Sequence, residues 1–461
     1  MTVNVQQGRR SHPATPLVRA WLWLLAVLAW AAQSLARGDE PLMVVGVVIA
    51  GAVVLGLAVG YVVWAYTYFV IDGTELRIDS GVFVKHSRRM PYERIQSIDI
   101  AQPFGARVLG LAELRIEMAG GEESRTRLQF LPLTEARALR RTLLERSSAP
   151  DGDTQPTAET PHAETREADG SEVVQIPLAL LIAASVLATD SILAIAASAL
   201  LLSVIVTSLF TAAFVGADAF AASFLPIVLG IAGWLYAVAR THLFEQWGFR
   251  LSRTSRGLRV DRGLFNRISQ TVPIDRVQGV VVEQPLLWRL FGWYRMRVDT
   301  AGYSRGQDVD DEDTTSTILP VGDLRTVQKV FGLVLPGADP VGVDTLVAPE
   351  RSVWFAPIGW RFRRVGHDDR VAVVTRGWLT HRVDVVPHAK TQSVRLLQGP
   401  LQRVLRLADV VIDTTKGPVE AIAKDRDVAD ARLMALSQLD RARAARARHG
   451  GDARPPLHGD L

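Results

Sequence analysis

A proline, a basic residue, two glutamines and an arginine recur at fixed spacing in three places along the chain. In each copy, Arg or Lys follows the proline by three residues, and the two glutamines and the final Arg follow at intervals of two, six and five. Guanidinium and amide groups can bind either an anionic ligand or backbone carbonyls. The recurring residues are Pro91, Arg94, Gln96, Gln102, Arg107 and Gly110 in the first copy, Pro273, Arg276, Gln278, Gln284, Arg289 and Gly292 in the second, and Pro387, Lys390, Gln392, Gln398 and Arg403 in the third.

Because the same side chains return in every copy, we interpret them as structural, for example as groups that bind a turn carbonyl. A glycine ten residues before each proline belongs to the same pattern, and the third copy has Arg406 where the others have their final glycine. Five intervals kept in three copies define an internal repeat.

Lys85, Arg88 and Arg89 form a separate basic cluster just before the first motif. A predicted membrane span precedes them, and near an anionic leaflet each such charge adds about 1 kcal/mol of attraction. Two interpretations stay open for these three side chains: contact with lipid headgroups or a protein partner, or a purely structural role.

Signals for catalysis or metal binding are weak. The chain has no phosphate-binding Gly-x4-Gly-Lys loop and no H-E-x-x-H motif. His381 and His388 lie closest together among nine scattered histidines, but they lack a third ligand. The acidic run Asp308–Asp313 could bind a divalent cation or a basic partner, although we favour a solvated loop. We therefore predict a non-enzymatic protein with no catalytic residues, no cofactor and no metal.

Alternating apolar and polar residues flank each motif, for example at residues 76–83 and 258–265, which is typical of half-buried β-strands. Thr134 and Asp323 are predicted helix N-caps. Each repeat is therefore several antiparallel strands and one C-terminal helix. The predicted helices are about 134–146, 323–333 and 427–439.

The pattern resembles the bacterial pleckstrin-homology-like (bPH2) membrane-flanked domain family. The residues that carry the resemblance are Pro91-x-x-Arg94-Ile-Gln96-Ser, then Gln102-Pro-x-x-x-Arg107-x-Leu-Gly110 and Ala119-Gly120. The second copy fits best, whereas the third lacks the Ala-Gly pair and the final glycine and is degenerate. The resemblance implies two nearly orthogonal sheets capped by a helix, and it implies no catalytic residues.

Hydrophobic residues make up 48% of the chain and are concentrated in blocks long enough to span a bilayer. We predict four spans, at 17–36, 41–70, about 191–210 and about 220–239. Residues 176–188 are predicted to lie at the membrane interface. Asp190 is either an intramembrane acid on an ion path or, as we favour, a helix N-cap at the membrane surface.

Lys and Arg flank the predicted spans on one side of the membrane. This asymmetry agrees with an even number of spans and places both termini and all three repeats in the cytoplasm. The chain contains no cysteine, which excludes disulfides and thiol chemistry.

The predicted fold class is membrane α-helical plus β, with four transmembrane helices carrying three cytoplasmic PH-like domains, each an antiparallel β sandwich or barrel with a C-terminal helix. The predicted segments are a cytoplasmic N-terminal tail (1–16), a transmembrane hairpin (17–70), PH-like domain 1 (68–146), a disordered acidic linker (147–172), an interfacial segment with a second transmembrane hairpin (173–240), PH-like domain 2 (247–335), a joint (336–364), the degenerate PH-like domain 3 (365–440) and a basic tail (441–461).

We predict a membrane-anchored PH-like binding or scaffold protein of the cell (inner, cytoplasmic) membrane. Its expected partners are membrane lipids, with anionic headgroups as one option, and a protein, for instance a related PH-like membrane protein. The resemblance also suggests envelope protection, including tolerance of membrane-active antimicrobial peptides. The alternatives are a component of a membrane transporter or export complex, and a membrane enzyme. A formal charge of only +4 argues against nucleic acid.

Overall fold

A computed structural model of the 461-residue chain divides into two compact units. Unit 1 contains Met1–Ala168 and Phe265–Thr271, and unit 2 contains Asp169–Leu264 and Val272–Leu461. The residues that the structure describes are 9–10, 12–13, 15, 27, 30–31, 34, 41–66, 68–71, 75–80, 86–118, 125–147, 171–192, 195–196, 198–199, 203, 232–255, 257–301, 317–415 and 417–451.

Unit 1 holds the first repeat as a four-stranded sheet followed by three further strands and a helix. Its strands are β1 (Arg9–Arg10), β2 (Tyr68–Ile71), β3 (Glu75–Ser80), β4 (His86–Pro91), β5 (Ile95–Gln102), β6 (Leu111–Met118) and β7 (Arg125–Pro132). Its helices are α1 (Leu42–Ala65), α2 (Phe104–Val108) and α3 (Leu133–Ser147).

The two sheets of the first repeat enclose one apolar core. Leu76, Met90 and Ile98 point into it from β3, β4 and β5, and Leu143 closes it from α3. Alternation of apolar and polar residues along each strand places these side chains on one face. The helix starts at Leu133, one residue before the predicted N-cap.

The second repeat has the same order of elements and lies in unit 2, except that residues 267–271 of its fourth strand belong to unit 1. Its strands are β8 (Ser171–Gln175), β9 (Arg250–Thr254), β10 (Gly257–Arg262), β11 (Arg267–Val272), β12 (Val277–Pro285), β13 (Trp293–Thr300) and β14 (Thr317–Asp323). Its helices are α4 (Leu178–Val186) and α5 (Leu324–Val334). Asp323 caps α5 as predicted, because its carboxylate accepts a hydrogen bond from the Thr326 backbone amide at 3.0 Å.

The third repeat, also in unit 2, follows the same plan. Its strands are β15 (Thr345–Val347), β16 (Arg364–His367), β17 (Val371–Arg376), β18 (Thr380–Pro387), β19 (Ser393–Leu397), β20 (Leu407–Asp413) and β21 (Ala421–Asp427). Its helices are α6 (Pro400–Val404) and α7 (Val428–Gly451). Each repeat thus consists of a group of four consecutive strands, a group of three strands and a C-terminal helix. This arrangement confirms the predicted PH-like β architecture.

The strand that follows the turn at the motif proline, which we call the motif strand, pairs in the first two repeats with the strand that leads into the motif proline of the next repeat, the pre-motif strand. In unit 2 the motif strand β12 pairs antiparallel with the pre-motif strand β18, which makes one sheet of order β14-β13-β12-β18-β17-β16-β15. We call such a pairing between the strands of consecutive repeats a strand joint. Val280 and Val385 are paired across the strand joint in unit 2 and lie in the same hydrophobic core. In unit 1 the motif strand β5 pairs with residues 267–269 of β11.

A membrane-length helix is inserted between the first two strands of the first repeat. Within the described part of the chain, α1 alone is long and apolar enough to cross a membrane, over Leu42–Val62. Most of the other three predicted spans lies outside the described residues. The structure therefore supports one of the four predicted spans.

Two predicted tails and a linker contain regular structure at their ends. Arg9–Arg10 pairs with β2 although it was assigned to the N-terminal tail, and β8 includes Ser171 and Glu172 of the predicted linker. Helix α7 continues through the Arg-rich tail to Gly451. Short polar strands and an all-round polar helix carry no clear periodicity, so sequence patterns missed them.

Residues 176–188, which we predicted to lie at the membrane interface, pack against the second repeat. Ile176, Leu181 and Ala184 are buried in the core of the second repeat. The indole nitrogen of Trp288 donates a hydrogen bond to the Ala184 carbonyl oxygen at 3.0 Å. This segment therefore packs onto a PH-like domain along one face.

The recurring glycine before the motif predicts a measurable cost of substitution. Gly377 has φ +84°, and a Cβ there would lie 2.1 Å from the Thr380 carbonyl oxygen. We expect Gly377→Ala to lower the free energy of unfolding by about 1–3 kcal/mol, measured by thermal unfolding of the full chain in lipid nanodiscs. The matched control is Gly332→Ala, in α5 with no atom within 4 Å of the added Cβ. A Gly377→Ala protein as stable as this control would contradict the explanation.

Candidate membrane-facing site

The motif prolines start a turn in all three repeats. Pro91, Pro273 and Pro387 each precede a three-residue 3-10 helix that leads into the motif strand. Proline suits this position because its φ is already close to the required value and its missing N–H is not needed.

The motif glutamines hold backbone rather than a ligand wherever their contacts are described. Gln102 Nε2 donates to the Leu111 carbonyl at 3.2 Å, and Gln398 Nε2 donates to the Leu407 carbonyl at 2.8 Å. Both bonds span nine residues and close the short helix between the motif strand and the next strand. Gln278 Nε2 donates to the Arg276 carbonyl at 3.1 Å. These contacts support a structural role.

Two of the motif cations in unit 2 bind turn carbonyls of the neighbouring repeat. Lys390 Nζ donates to the Asp275 carbonyl at 2.8 Å, and Arg289 Nη2 donates to the Trp378 carbonyl at 2.5 Å. The first bond joins the motif turns of repeats two and three. The recurring basic positions therefore help to hold consecutive repeats together here.

The structure describes two of the three residues in the predicted lipid or partner contact cluster. Lys85 lies outside the described residues, and Arg88 and Arg89 lie on β4. Arg88 is half-buried, whereas Arg89 is exposed with its Nε 3.8 Å from the Glu75 carboxylate. Lipid or partner contact by these residues stays a prediction.

Exposed apolar side chains mark the end of each motif strand. They are Val108 (71% exposed) in the first repeat, Leu290 (78%) in the second and Val404 (80%) in the third, all in the short helix that follows the motif strand. In the first repeat the junction between the first and second strands contains α1, the helix of membrane-spanning length.

The motif strands of the first two repeats are covered by a neighbouring strand, whereas the motif strand of the third is exposed. Ile98 and Ile100 of β5 and Val280 of β12 are buried, and each of these strands is paired with a pre-motif strand. Within the described structure, β19 pairs only with β20, and its Leu396 and Leu397 are 38% and 47% exposed. The third motif strand therefore presents an open sheet edge.

Asp190 belongs to a polar cluster beside a cavity of about 250 Å³ in unit 2. His242 Nε2 hydrogen-bonds to the Asp190 carboxylate, and Arg295 Nη2 lies 2.9 Å from His242 Nδ1. Because the guanidinium can only donate, His242 accepts at Nδ1 and donates at Nε2. Asp190 is thus paired with a side chain after the predicted second hairpin rather than serving only as a helix cap. The remaining lining includes Ser185, Gln246, Trp288, Arg297 and Thr317.

No group of three His, Asp or Glu side chains is placed to hold a metal among the residues described. His388 is buried, with Nε2 3.0 Å from the Asp368 carbonyl, so it holds a turn. The acidic run Asp308–Asp313 lies outside the described structure.

A Gly-x-Ser-x-Gly spacing, Gly302-Tyr-Ser-Arg-Gly306, occurs in the sequence and lies outside the described residues. Such a motif serves a hydrolase when the serine sits on a turn from a strand into a helix. Here the flanking elements are the strands β13 and β14. The context therefore does not fit a nucleophile elbow.

Asp299, at the end of β13, is an ionisable group that motif searching missed. It is 2% exposed, and Thr415 Oγ1 lies 3.4 Å from its carboxylate. Burial raises the pKa of Asp299 to about 6, although hydrogen bonds from Thr415 and Thr414 act in the opposite direction. The acidic residue at this place in the repeat was visible in the sequence, but the loop that buries it was not.

Three PH-like β domains on a chain with a membrane-length helix define a class of membrane protein built from repeated PH-like domains. The chain belongs to the bacterial PH domain family (bPH_2), whose profile matches residues 14–147, 177–333 and 330–443. These segments coincide with the three repeats, which confirms the predicted internal repeat and family.

A relative of the chain is the UPF0699 transmembrane protein YdbT of Bacillus subtilis (strain 168). It is 25% identical over 292 residues, which cover 58% of this chain and 57% of that protein. The alignment therefore spans little more than half of the relative. No solved structure matches the chain.

The raised pKa of Asp299 predicts that Asp299→Asn stabilises the protein at neutral pH. Between its unfolded pKa of 3.8 and about 6, the folded state binds more protons than the unfolded state, so this residue makes stability fall as pH rises. Asp299→Asn should raise the free energy of unfolding by about 1–3 kcal/mol at pH ~7.5 and by little at pH ~4. Thermal unfolding of the full chain in nanodiscs at both pH values measures this.

The control is Asp261→Asn, which removes an ion pair to Arg259 at 3.2 Å and should not stabilise the protein at either pH. Equal stability of the Asp299→Asn and unsubstituted chains at pH ~7.5 would show that the buried carboxyl costs nothing.

Proposed function

We propose that this protein is a non-enzymatic, membrane-anchored scaffold that binds a protein partner through the open edge of β19. It would act at the cytoplasmic face of the cell membrane, as a multi-pass protein with four transmembrane helices and both termini in the cytoplasm. The family membership and α1 support the membrane association, and the charge asymmetry of the flanks supports the orientation.

The observation that carries the proposal is the contrast between three equivalent strands. β5 and β12 are buried because each accepts a pre-motif strand, and β19 is exposed. Open edges present unpaired backbone groups and readily accept another strand. An edge of the same design, which no pre-motif strand covers within the described residues, is suited to a strand from another molecule.

The register of the two internal joints indicates what that strand should look like. Ala101 faces Ile268 in the first joint, and Glu283 faces Arg382 in the second; both partners lie five residues before a motif proline. Leu397 occupies the equivalent place in β19. We therefore expect the strand that pairs with β19 to carry an apolar residue opposite Leu397, five positions before its own motif proline.

A second copy of this chain does not supply that strand. Its pre-motif strand β4, which is a sheet edge among the described residues, reads His86-Ser-Arg-Arg, and the shared register would place Arg88 opposite Arg395. Like charges directly opposite one another destabilise strand pairing. The occupant we propose is the pre-motif strand of a PH-like domain in a different membrane protein.

Photo-crosslinking in membranes of the native host tests this edge. A benzophenone amino acid at Leu397 should crosslink to a peptide that precedes a motif proline in a bPH_2 domain of a second polypeptide. The same label at Leu436, which is 63% exposed on α7, should not. Leu397→Lys should reduce recovery of the complex at least tenfold, and Leu436→Lys should leave it unchanged.

Products of the Leu397 label with this chain itself, with lipid or with a protein lacking a bPH_2 domain would overturn the proposed occupant. Absence of any product would remove the support for a docking edge.

A component of a transporter or export complex is the second candidate, and the Asp190–His242–Arg295 cluster is the observation that favours it. Envelope protection against membrane-active peptides is the physiological role we propose for either function. Complementation of a deletion strain separates the two. We expect Asp190→Asn to restore peptide tolerance and Leu397→Lys to fail, at equal protein levels. The reverse result would favour transport.

A further inference from the structure

The loop between β15 and β16, residues 348–363, presents large apolar side chains to solvent. Trp354 is 78% exposed and Ile358 is 66% exposed, and Val353 and Phe355 are also exposed. We call these residues the third-repeat loop. Single exposed apolar residues are common, but a contiguous group of this size marks an interaction surface.

The position of this loop in the fold identifies what the surface meets. In the first repeat the connection between the first and second strands contains α1, the helix of membrane-spanning length. The third-repeat loop is the same connection in the third repeat, shortened to 3-10 turns at Glu350–Trp354 and Trp360–Phe362. The end of the domain that carries a membrane helix in one repeat carries exposed tryptophan and isoleucine in the other.

Other exposed apolar residues lie at the same end of the third repeat. The turn between β17 and β18 contributes Trp378 and Leu379. Antiparallel order in the sheet that contains β15 to β18 places this turn at the end where β15 ends and β16 begins. The apolar surface therefore extends beyond one loop.

Buried polar contacts hold the third-repeat loop in place. Arg426, which is 3% exposed, donates from Nη1 to the Leu346 carbonyl and from Nη2 to the Arg363 carbonyl, each at 2.8 Å. These carbonyls lie on the two sides of the loop. Inside it, the Phe355 amide donates to the Ser352 carbonyl at 3.0 Å. Trp354 is thus exposed on an anchored turn.

The chemistry of the loop matches the boundary between headgroups and acyl chains. Tryptophan is enriched there because its ring is apolar and its N–H is polar. Arg361 lies against the Trp360 ring, 5.3 Å from its centroid, and Arg364 follows the loop, so cations accompany the aromatic rings. Basic residues next to an apolar surface are attracted to anionic leaflets.

We propose that the third-repeat loop inserts into the headgroup–acyl boundary of the bilayer and anchors the third repeat, which has 3-10 turns instead of a membrane-length helix between its first two strands. Trp354 and Ile358 are the inserted side chains. This goes beyond the proposed scaffold function, because it assigns a lipid surface to a different part of the third repeat and does not depend on any protein partner.

The absence of cysteine from the chain allows a direct test with single labels. Trp354→Cys and Ile358→Cys, each carrying an environment-sensitive fluorophore, are compared in the full chain in nanodiscs containing one copy each. The control is Asp369→Cys, in the exposed turn between β16 and β17 at the opposite end of these strands. Lipids with a nitroxide on the upper acyl chain serve as the quencher.

We expect the labels at 354 and 358 to be quenched at least twofold more than the label at 369, with blue-shifted emission. Equal quenching at the three positions would overturn the proposal. A blue shift without nitroxide quenching would also overturn it, because it would show that protein rather than lipid covers the loop. Melting temperatures of the labelled chains within a few degrees of the unlabelled chain show that these exposed sites leave the fold intact.

Discussion

Pairing of a motif strand with the pre-motif strand of the next repeat is the interaction on which the rest of the structure depends. Gln102 faces Arg267 in one joint and Gln284 faces His381 in the other, and both partners lie six residues before a motif proline. A slip of one residue would turn every side chain to the other face of the sheet. The register therefore has to be kept, and this explains why spacing around the proline is conserved between the repeats.

Charged side chains reinforce the joint in unit 2. Arg382 binds the buried Asp384 carboxylate at 2.9 Å and lies 3.3 Å from Glu283 of the motif strand that it faces. Burial raises the pKa of Asp384, while Arg382 and Arg376 act against this shift. Removing one partner would leave a buried charge without compensation, which costs more than the pair contributes. Such a network favours the correct register over the neighbouring ones.

The repeats, their strands and their closing helices could be predicted because they depend on short-range spacing and periodicity. The first strand of each repeat could not. Arg9–Arg10 and Ser171–Gln175 are short, polar and separated from their partner strands by predicted membrane hairpins, so no local pattern reports their pairing. The candidate site could also be predicted only in part. The motif residues were recognisable from the sequence, whereas the burial of Asp299 and the exposure of β19 depend on contacts between distant segments.

The third repeat keeps the backbone turn at the end of the motif although it lacks the glycine found there in the other two repeats. Gly110 and Gly292 adopt positive φ at the end of the motif, and Arg406 holds the same conformation at φ 52°. A side chain in this region costs about 1 kcal/mol or more, so the turn is maintained against its intrinsic preference. The motif strand that leads to this turn has therefore kept its shape although, among the described residues, no pre-motif strand pairs with it. A retained edge without an internal partner is expected when the shape itself is used, and this is the reason to look for the missing strand in another molecule.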